Sequence, residues 1–438
     1  MTSARAVALH ALVALSRGRA DRLREALVVK GLPPRDQAFA FELAHGVVRR
    51  ERLLDHVLLG LAHRGLPKDP QLHMALRLGA YQLLFVAGMP AHAAVHETVE
   101  LVRGNRGFAN ALLRKLSRAI EDVPAPAGTT PQRLALGATR SLALPLPLPT
   151  ELGERLAIVH SLPDFLLARW RAPFGDAALQ QIAAAASAVP GVFLRVAKDT
   201  EPAALRDELA AADVGTEPGP HPRLLRWTGG GSPFTTIAFR EGRFAVQDPT
   251  AFAAAEAVPC GPGDTVVDLC AAPGTKTTAL AERVRPGGRV VAYDPDSLRR
   301  QRIVDNVLRL RLQDVVTVVA DPAHLPPADA VLADVPCSNT GVLGRRVEVR
   351  SRLEPATFAE LAGLQRTLLR QAIGLCKPGG TVVYSTCSID REENDDVVAA
   401  VLADPTTPRC ERLASQLTLP LAGVCDGGFH ATLRRLAP

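Results

Sequence analysis

From Thr265 to Cys387 the chain alternates short apolar segments with longer amphipathic ones, and this beat restricts the fold more than any other feature. The segments TVVDLCA (265–271), RVVAYD (289–294), VVTVVAD (315–321), AVLADVP (330–336) and GTVVYSTC (380–387) have strand length and β-branched content. Between them, TKTTALAERV, SLRRQRIVDNVLRL and PATFAELAGLQRTLLRQAIGLC carry helical spacing. Strands joined through helices run parallel, so the pattern predicts an α/β, doubly wound, mostly parallel sheet with ligands at the carboxyl ends of its strands.

Those ends hold the chemistry. DLCAAPGTKT (268–277) closes the first strand with a turn of small residues before a helix, which lets a ligand reach backbone amides at a helix N-terminus. Thr275 separates Gly274 from Lys276, so the phosphate-binding Gly-Lys-Ser/Thr run is broken, and the dinucleotide GxGxxG pattern is absent. Asp294 ends the second strand, where a carboxylate can accept from a ribose diol, and Asp321 ends the third. An Asp at a strand end is also an ordinary turn or helix cap. Three in register at successive ends point to a ligand instead.

Asp334, Pro336 and Cys337 in DVPCSNTG end the fourth strand, and Thr386 and Cys387 in YSTCS end the fifth. On neighbouring strands both thiols would face one crevice. A lone cysteine is commonly a small buried hydrophobe, but two at strand ends beside a ligand turn suggest nucleophiles. All seven cysteines lie beyond residue 259 with no CxxC pair, which argues against a disulfide framework and a zinc cluster and implies a reducing, cytoplasmic setting.

The region Thr2 to Ile120 reads as an all-α domain, with apolar positions three and four apart and breaks at Gly31–Pro34, Gly65–Pro70 and Gly88–Pro90. Its opening RAVALHALVAL (5–15) lacks a cleavage pattern and is better read as an amphipathic helix than as a signal peptide. No run of 18 apolar residues predicts a membrane span. The net charge of +6 is uneven: 18 basic and 11 acidic residues fall within Met1 to Asp122, and the remainder is nearly neutral. Such asymmetry suits an anionic partner at the N-terminal end, although a soluble bundle can carry the same charge. Residues 123–150, rich in proline and free of acidic side chains, are expected to form a surface connector with a helical turn near Arg133 to Ala138. A small α/β lead-in is assigned to 151–240 and the catalytic sheet to 241–438. His92 and His96 stand at helical spacing without a third ligand, so no metal site is expected.

DLCAAPGTKT, DVPCSNTG and YSTCSIDREEN, with FAVQDPTAF upstream and DGGFHATLRR at the end, resemble the motifs of the S-adenosylmethionine-dependent RNA cytosine-5 methyltransferases of the Nol1/Nop2/Sun family, over roughly residues 160 to 436. Residues 1–122, through RDQAFAFELAHGVVRRERLLD, LRLGAYQLLF, AHAAVHETVEL and FANALLRKL, resemble the NusB-like RNA-binding domain that precedes the methyltransferase in the bacterial RsmB (Sun or Fmu) branch. The resemblance implies a Rossmann-like methyltransferase sheet preceded by an all-α NusB-like domain. It also implies S-adenosylmethionine as cofactor, and RNA, small-subunit ribosomal RNA in particular, as partner, with no membrane or metal and a monomeric chain.

By the family's pattern Cys387 is the nucleophile that adds to carbon 6 of cytosine, and Cys337 assists proton removal and release. Asp334 would hold the base edge, while Cys270, Ala271, Ala272, Pro273, Gly274, Thr275, Lys276, Asp294, Asp321 and Asp334 line the cofactor site. A thiol of ordinary pKa is only a few per cent ionised at neutral pH, so a nearby cation should help. Lys276, one of six lysines against 45 arginines, is the candidate. Departures from the pattern are Thr275 for Gly, and GVLGRRVEVRSRLEP without the usual Pro-Asp pair and with Ser351 at the Trp position. Arg345, Arg346, Arg350 and Arg352 in that loop are candidate phosphate contacts or a solvated basic loop. With 13 Phe, 3 Tyr and 2 Trp, a broad stacking platform for RNA is not expected. Alternatives are a transfer RNA enzyme, an amino-group methyltransferase, which would carry an aromatic where DVPC has sulfur, and a non-catalytic RNA-binding factor.

Overall fold

The protein is described from a computed structural model, which covers residues 3–62, 64–125 and 128–437. Residues 126 and 127 of the Pro-rich stretch lie outside these, as do 1, 2, 63 and 438. The chain forms two compact units, Met1–Ala188 with Arg346–Arg352, and Val189–Arg345 with Leu353–Pro438.

The first unit begins with helices Ala4–Ser16, Leu23–Ala26, Pro34–Arg49, Glu51–Leu61, Pro70–Phe85, Ala91–Leu101 and Arg106–Ala119. The expected breaks fall where proline starts or precedes a helix: Pro34 and Pro70 occupy first turns, where the missing N–H costs nothing, and Pro90 caps the next. Asp69 accepts from Leu72 N and fixes the start of Pro70–Phe85, which is buried along most of its length.

The Pro-rich stretch is not a bare connector. Arg133–Leu136 and Arg140–Ala143 form a hairpin, joined by the two-residue strand Ile120–Glu121, where a helical turn was expected. Leu134 and Leu136 alternate inward, and with Leu142, Leu144 and Leu148 they are buried in the core of the helical unit. The period of two is a strand signal that the density of proline obscures over so short a segment. Helix Leu152–Val159 and the segment Asp164–Ser187, two helices that meet in a kink at Gly175, also belong to this unit, so the lead-in drawn at 151–240 divides after Ala188.

Arg346–Arg352 is counted in the same unit, with Val347 in its core. Arg350 is almost wholly buried and donates to the carbonyls of Arg49, His160, Ser161 and Ala186. It is a structural clasp, not a phosphate contact, because its donors are spent on orphan carbonyls. Arg346, Ser351 and Arg352 are exposed.

The second unit opens with a four-stranded antiparallel sheet in the order Val214–Pro218, Leu224–Gly230, Val192–Val196, Phe244–Val246. The main sheet has seven strands, β1 (Thr265–Asp268), β2 (Arg289–Tyr293), β3 (Val316–Val319), β4 (Ala328–Asp334), β5 (Cys376–Thr386), β6 (Cys410–Thr418) and β7 (Gly428–Arg435), in the order β3-β2-β1-β4-β5-β7-β6. The first five are parallel; β7 pairs antiparallel with both β5 and β6, making the sheet mixed.

Alternate residues face opposite cores. Val266, Val290, Leu332 and Val383 meet Leu280, Ile303 and Val307 of helices Thr275–Val284 and Ser297–Arg309. Val267, Val291, Val331 and Tyr384 meet Leu369, Ile373 and Val397 of helices Pro355–Leu375 and Asp395–Ala403. Burial of each such aliphatic side chain contributes about 1.5–3 kcal/mol. Buried Arg195 of the small sheet donates to Thr278 at 3.0 Å and shares Glu282 with Arg223, which fixes the helix that follows the ligand turn.

Candidate active site

Sheet register brings the acidic strand ends to one edge. Asp268 pairs with Ala292 and Leu332, and Tyr293, beside Asp294, pairs with Val319. After β1 the chain turns through Ala271 to Gly274 into the helix Thr275–Val284. Ala271 N donates to Tyr293 O at 2.9 Å and Gly274 N to Ala271 O at 2.7 Å. Gly274 has φ 95°, and a Cβ there would lie 3.2 Å from the Ile303 backbone, so both conformation and space call for glycine.

Asp268 is buried, its Oδ2 accepting from Thr277 Oγ1 at 2.7 Å while Oδ1 has no protein partner. Burial pushes its carboxyl up to about 7, with Asp334 and Asp294 adding to the shift. Asp294 is equally buried, but its oxygens are engaged by Ala272 N, Asp296 N and the Arg299 guanidinium, so it braces the turn. Asp321 is exposed and caps the turn Pro322–His324. Burial first, and then the surrounding carboxylates, push the Cys270 thiol up, which leaves it unreactive. Pro273 O accepts from Asn306, and Ala272 O from Arg299. An orphaned buried carboxylate oxygen beside a glycine-shaped turn suits a ligand that carries an ammonium and hydroxyls, such as S-adenosylmethionine.

The loops after β4 and β5 are held together by backbone: Val335 N donates to Ser385 O, Gly341 N to Cys387 O at 2.9 Å, and Gly427 N to Gly341 O at 2.8 Å. A Cβ on Gly341 would stand 2.4 Å from Gly427 O and 2.8 Å from Cys387 O. This contact brings Cys337 Sγ and Cys387 Sγ to 3.1 Å. Cys387 Sγ also lies 3.3 Å from Asn339 Oδ1, whose amide donates to Cys337 O at 2.7 Å. The hydrogen bond to Cys387, followed by burial, pushes the Cys337 thiol well up.

Lys276 reaches from the helix start to Asp334, Nζ to Oδ2 at 2.6 Å. Burial pulls its ammonium down, but Asp334, Cys387 and Asp268 outweigh it and the net shift is upward. Lys276, Asp334 and Cys387 line one small cavity of about 50 Å³, together with Asp248, Asp426 and His430.

Sequence reasoning assigned no role to several of these residues. Arg345, a candidate phosphate contact, is committed to Asp426, to Asp248 at 2.9 Å and to Gly191 O at 2.8 Å. Burial and then Asp248 push Asp426 up to about 7. Asp248 and Asp426 lie in FAVQDPTAF and DGGFHATLRR, and only the distant arginine reveals them as a cluster. Exposed His92 and His96 lie on one helix, and among the described residues no group of His, Cys, Asp or Glu is placed to hold a metal. No helix among those residues is long and apolar enough to cross a membrane.

The sequence profile described as 16S rRNA methyltransferase RsmB/F matches residues 257–419, and that of the NusB family matches residues 2–118. The chain is 33% identical to the ribosomal RNA small subunit methyltransferase B of Thermus thermophilus, over 99% of this chain and 98% of that one. It is also 33% identical to a probable ribosomal RNA small subunit methyltransferase B of Synechocystis, over 87% and 84%. Among solved structures it is similar in fold to PH0851 (TM-score 0.74, 24% identity, 98% of each chain). A methyltransferase homologue from Pyrococcus horikoshii is similar too (TM-score 0.55, 24% identity, 63% of this chain and 95% of that one).

Proposed function

The chain belongs to the RsmB/F family of 16S rRNA methyltransferases, and from that premise we propose that it methylates carbon 5 of a cytidine in small-subunit ribosomal RNA through a covalent adduct on Cys387. The observation that carries this reading is the pair of sulfurs 3.1 Å apart at adjacent strand ends, with Cys387 lining the cleft that Lys276 and Asp334 share and Cys337 buried behind it.

Carbon 5 of cytosine is a weak nucleophile until carbon 6 carries an added group. Cys387 supplies that group: its sulfur bonds to carbon 6, the ring π electrons shift, and the thiol proton ends on ring nitrogen 3. Asp334, paired with Lys276, faces the base edge and stabilises the protonated nitrogen. Bound S-adenosylmethionine supplies an electrophilic methyl group for carbon 5. Asp268 and the small-residue turn would hold it, with Asp294 bracing that turn. Release needs the carbon-5 proton removed, which restores the ring double bond and breaks the S–C6 bond. Cys337, which keeps its proton, hands it to the departing sulfur and recovers one from carbon 5, while the proton on ring nitrogen 3 goes to solvent.

The target base must be flipped or already unpaired, since carbon 6 is unreachable within a stack. Docking of the RNA falls to the basic helical unit, where Arg17, Arg19, Arg22 and Arg24 are exposed. Bisulfite mapping of total RNA with and without the protein tests the reading. One small-subunit ribosomal cytidine should become protected. Protection confined to transfer RNA, or absent, overturns it.

A further inference from the structure

Each of the two paired cysteines is followed by a serine, and both serines donate to one carboxylate, with a second buried carboxylate, Asp390, 3.4 Å from the Ser388 hydroxyl. Glu393 ends the short turn Arg391–Glu393 and is completely buried. Its Oε1 accepts from Ser338 N at 2.8 Å and from Gln365 Nε2 at 2.9 Å. Its Oε2 accepts from Ser388 Oγ at 2.5 Å and from the Ser338 hydroxyl. Gln365 donates in addition to Pro336 O, and Tyr384 donates its hydroxyl to Glu393 O. All of these donors are neutral, so the carboxylate is solvated by the protein without being cancelled by a paired charge.

We propose that Glu393 is a positioning residue for the paired thiols, holding the residues after Cys337 and Cys387 on one buried anion and giving the two sulfurs unequal surroundings. The inference rests on the thiol mechanism above and deepens it.

The geometric half is direct. Ser338 and Ser388 sit on loops from different strands, and their common acceptor sets how far apart the preceding sulfurs stand. The electrostatic half follows from what faces each thiol. Around Cys337 are Cys387 at the end of β5, Glu393 on its turn and the Tyr384 phenol of β5, with the Asn339 backbone as a partial counterweight. Cys387 instead opens on the cleft, which the Lys276 ammonium lines together with Asp334, Asp248, Asp426 and His430. The carboxylate's charge disfavours the Cys337 thiolate and makes Cys337 the proton holder of the pair. Without the carboxylate's charge the two thiols would compete for the same role.

The test uses the full-length protein in a Cys387→Ser background, so that Cys337 is the only thiol of the pair. Its reaction with methyl methanethiosulfonate, a small thiol reagent, is followed against pH by peptide mass spectrometry. Glu393→Gln should lower the reaction midpoint by about one pH unit, a tenfold gain in thiolate at fixed pH. A midpoint unchanged or raised in a folded Glu393→Gln protein overturns the proposal. If that variant does not fold, Ser338→Ala decides: it keeps the charge and removes a hydroxyl that solvates it, so the midpoint should rise. A midpoint that stays or falls is the adverse result. Turnover retained by Cys387→Ala would instead sink the nucleophile assignment, and it would do so without moving this titration.

Discussion

Cys337 and Cys387 are separated by fifty residues of chain, yet their sulfurs touch at 3.1 Å. Backbone bonding between their loops, not a disulfide, brings them together. Contact at this distance makes the two thiols one chemical unit, and their substitutions should separate the half-reactions.

Cys387→Ala is expected to abolish methyl transfer, by on the order of a thousandfold or more, and to leave no RNA-linked protein. Cys337→Ala should still form the adduct but release it slowly, so a denaturing gel should show RNA-linked protein accumulating. A Cys337→Ala protein that turns over normally would count against the release role.

Lys276 and Asp334 are partly buried partners, and removing either leaves the other's charge without compensation. Lys276→Met and Asp334→Asn should each cost about 2 kcal/mol, with a coupling energy of about 1–2 kcal/mol in a double-mutant cycle read by urea unfolding. The ammonium is held above its ordinary 10.5, so this contribution is present in full below that value and disappears only as pH rises through the folded-state value. Coupling measured near pH 9 should therefore match that at pH 7.

Asp268 has the opposite sign. Its carboxyl rises from 3.8 to about 7 on folding, so the native state holds a proton that the unfolded chain gives up, and stability falls as pH climbs through that window. Asp268→Asn keeps the acceptor for Thr277 and has no charge to bury. In the absence of cofactor its stability gain over wild type should open between pH 4 and 7 and level off near pH 8, at on the order of 4 kcal/mol. A gain independent of pH would refute the burial account.

Gly341 is the contact point of the two cysteine loops. Gly341→Ala would force its Cβ into backbone atoms that have no rotamer to yield, and should cost about 1–3 kcal/mol while widening the gap between the sulfurs. The check is a fall in kcat larger than the change in KM, accompanied by a lowered Tm.

A fragment ending at residue 122 should aggregate, because Leu134, Leu136, Leu142, Leu144 and Leu148 complete the helical core. Extending the fragment to residue 188 should restore several kcal/mol, at about 1.5–3 kcal/mol for each leucine buried. Size-exclusion profiles and thermal melts of the two fragments would decide the matter.

The strand-helix beat exposed the sheet and its working edge in the sequence, because a parallel sheet collects strand ends separated by long crossovers. The placement of Cys337, Cys387, Lys276 and Asp334 near that edge was legible for that reason, while the roles proposed for them rest on the family resemblance. Glu393 was not: in DREEN it reads as part of a solvated acidic run, and only tertiary burial singles it out. Arg345 and Arg350 failed the same way, since a basic loop looks like surface until carboxylates and carbonyls claim its guanidiniums. The leucines of 134–148 were hidden by their prolines, whose composition suggested a tether while the alternation made a hairpin.

Arg346–Arg352 has a consequence for synthesis. A ribosome emits the chain from its N-terminus, so the first unit reaches its full core only after much of the second has been made, when Val347 and the Arg350 clasp emerge. Its last carbonyls wait on a segment some 160 residues downstream of Ala188. Folding order is thus set against gene order, and a truncated transcript yields a helical unit that is nearly complete and permanently unfastened.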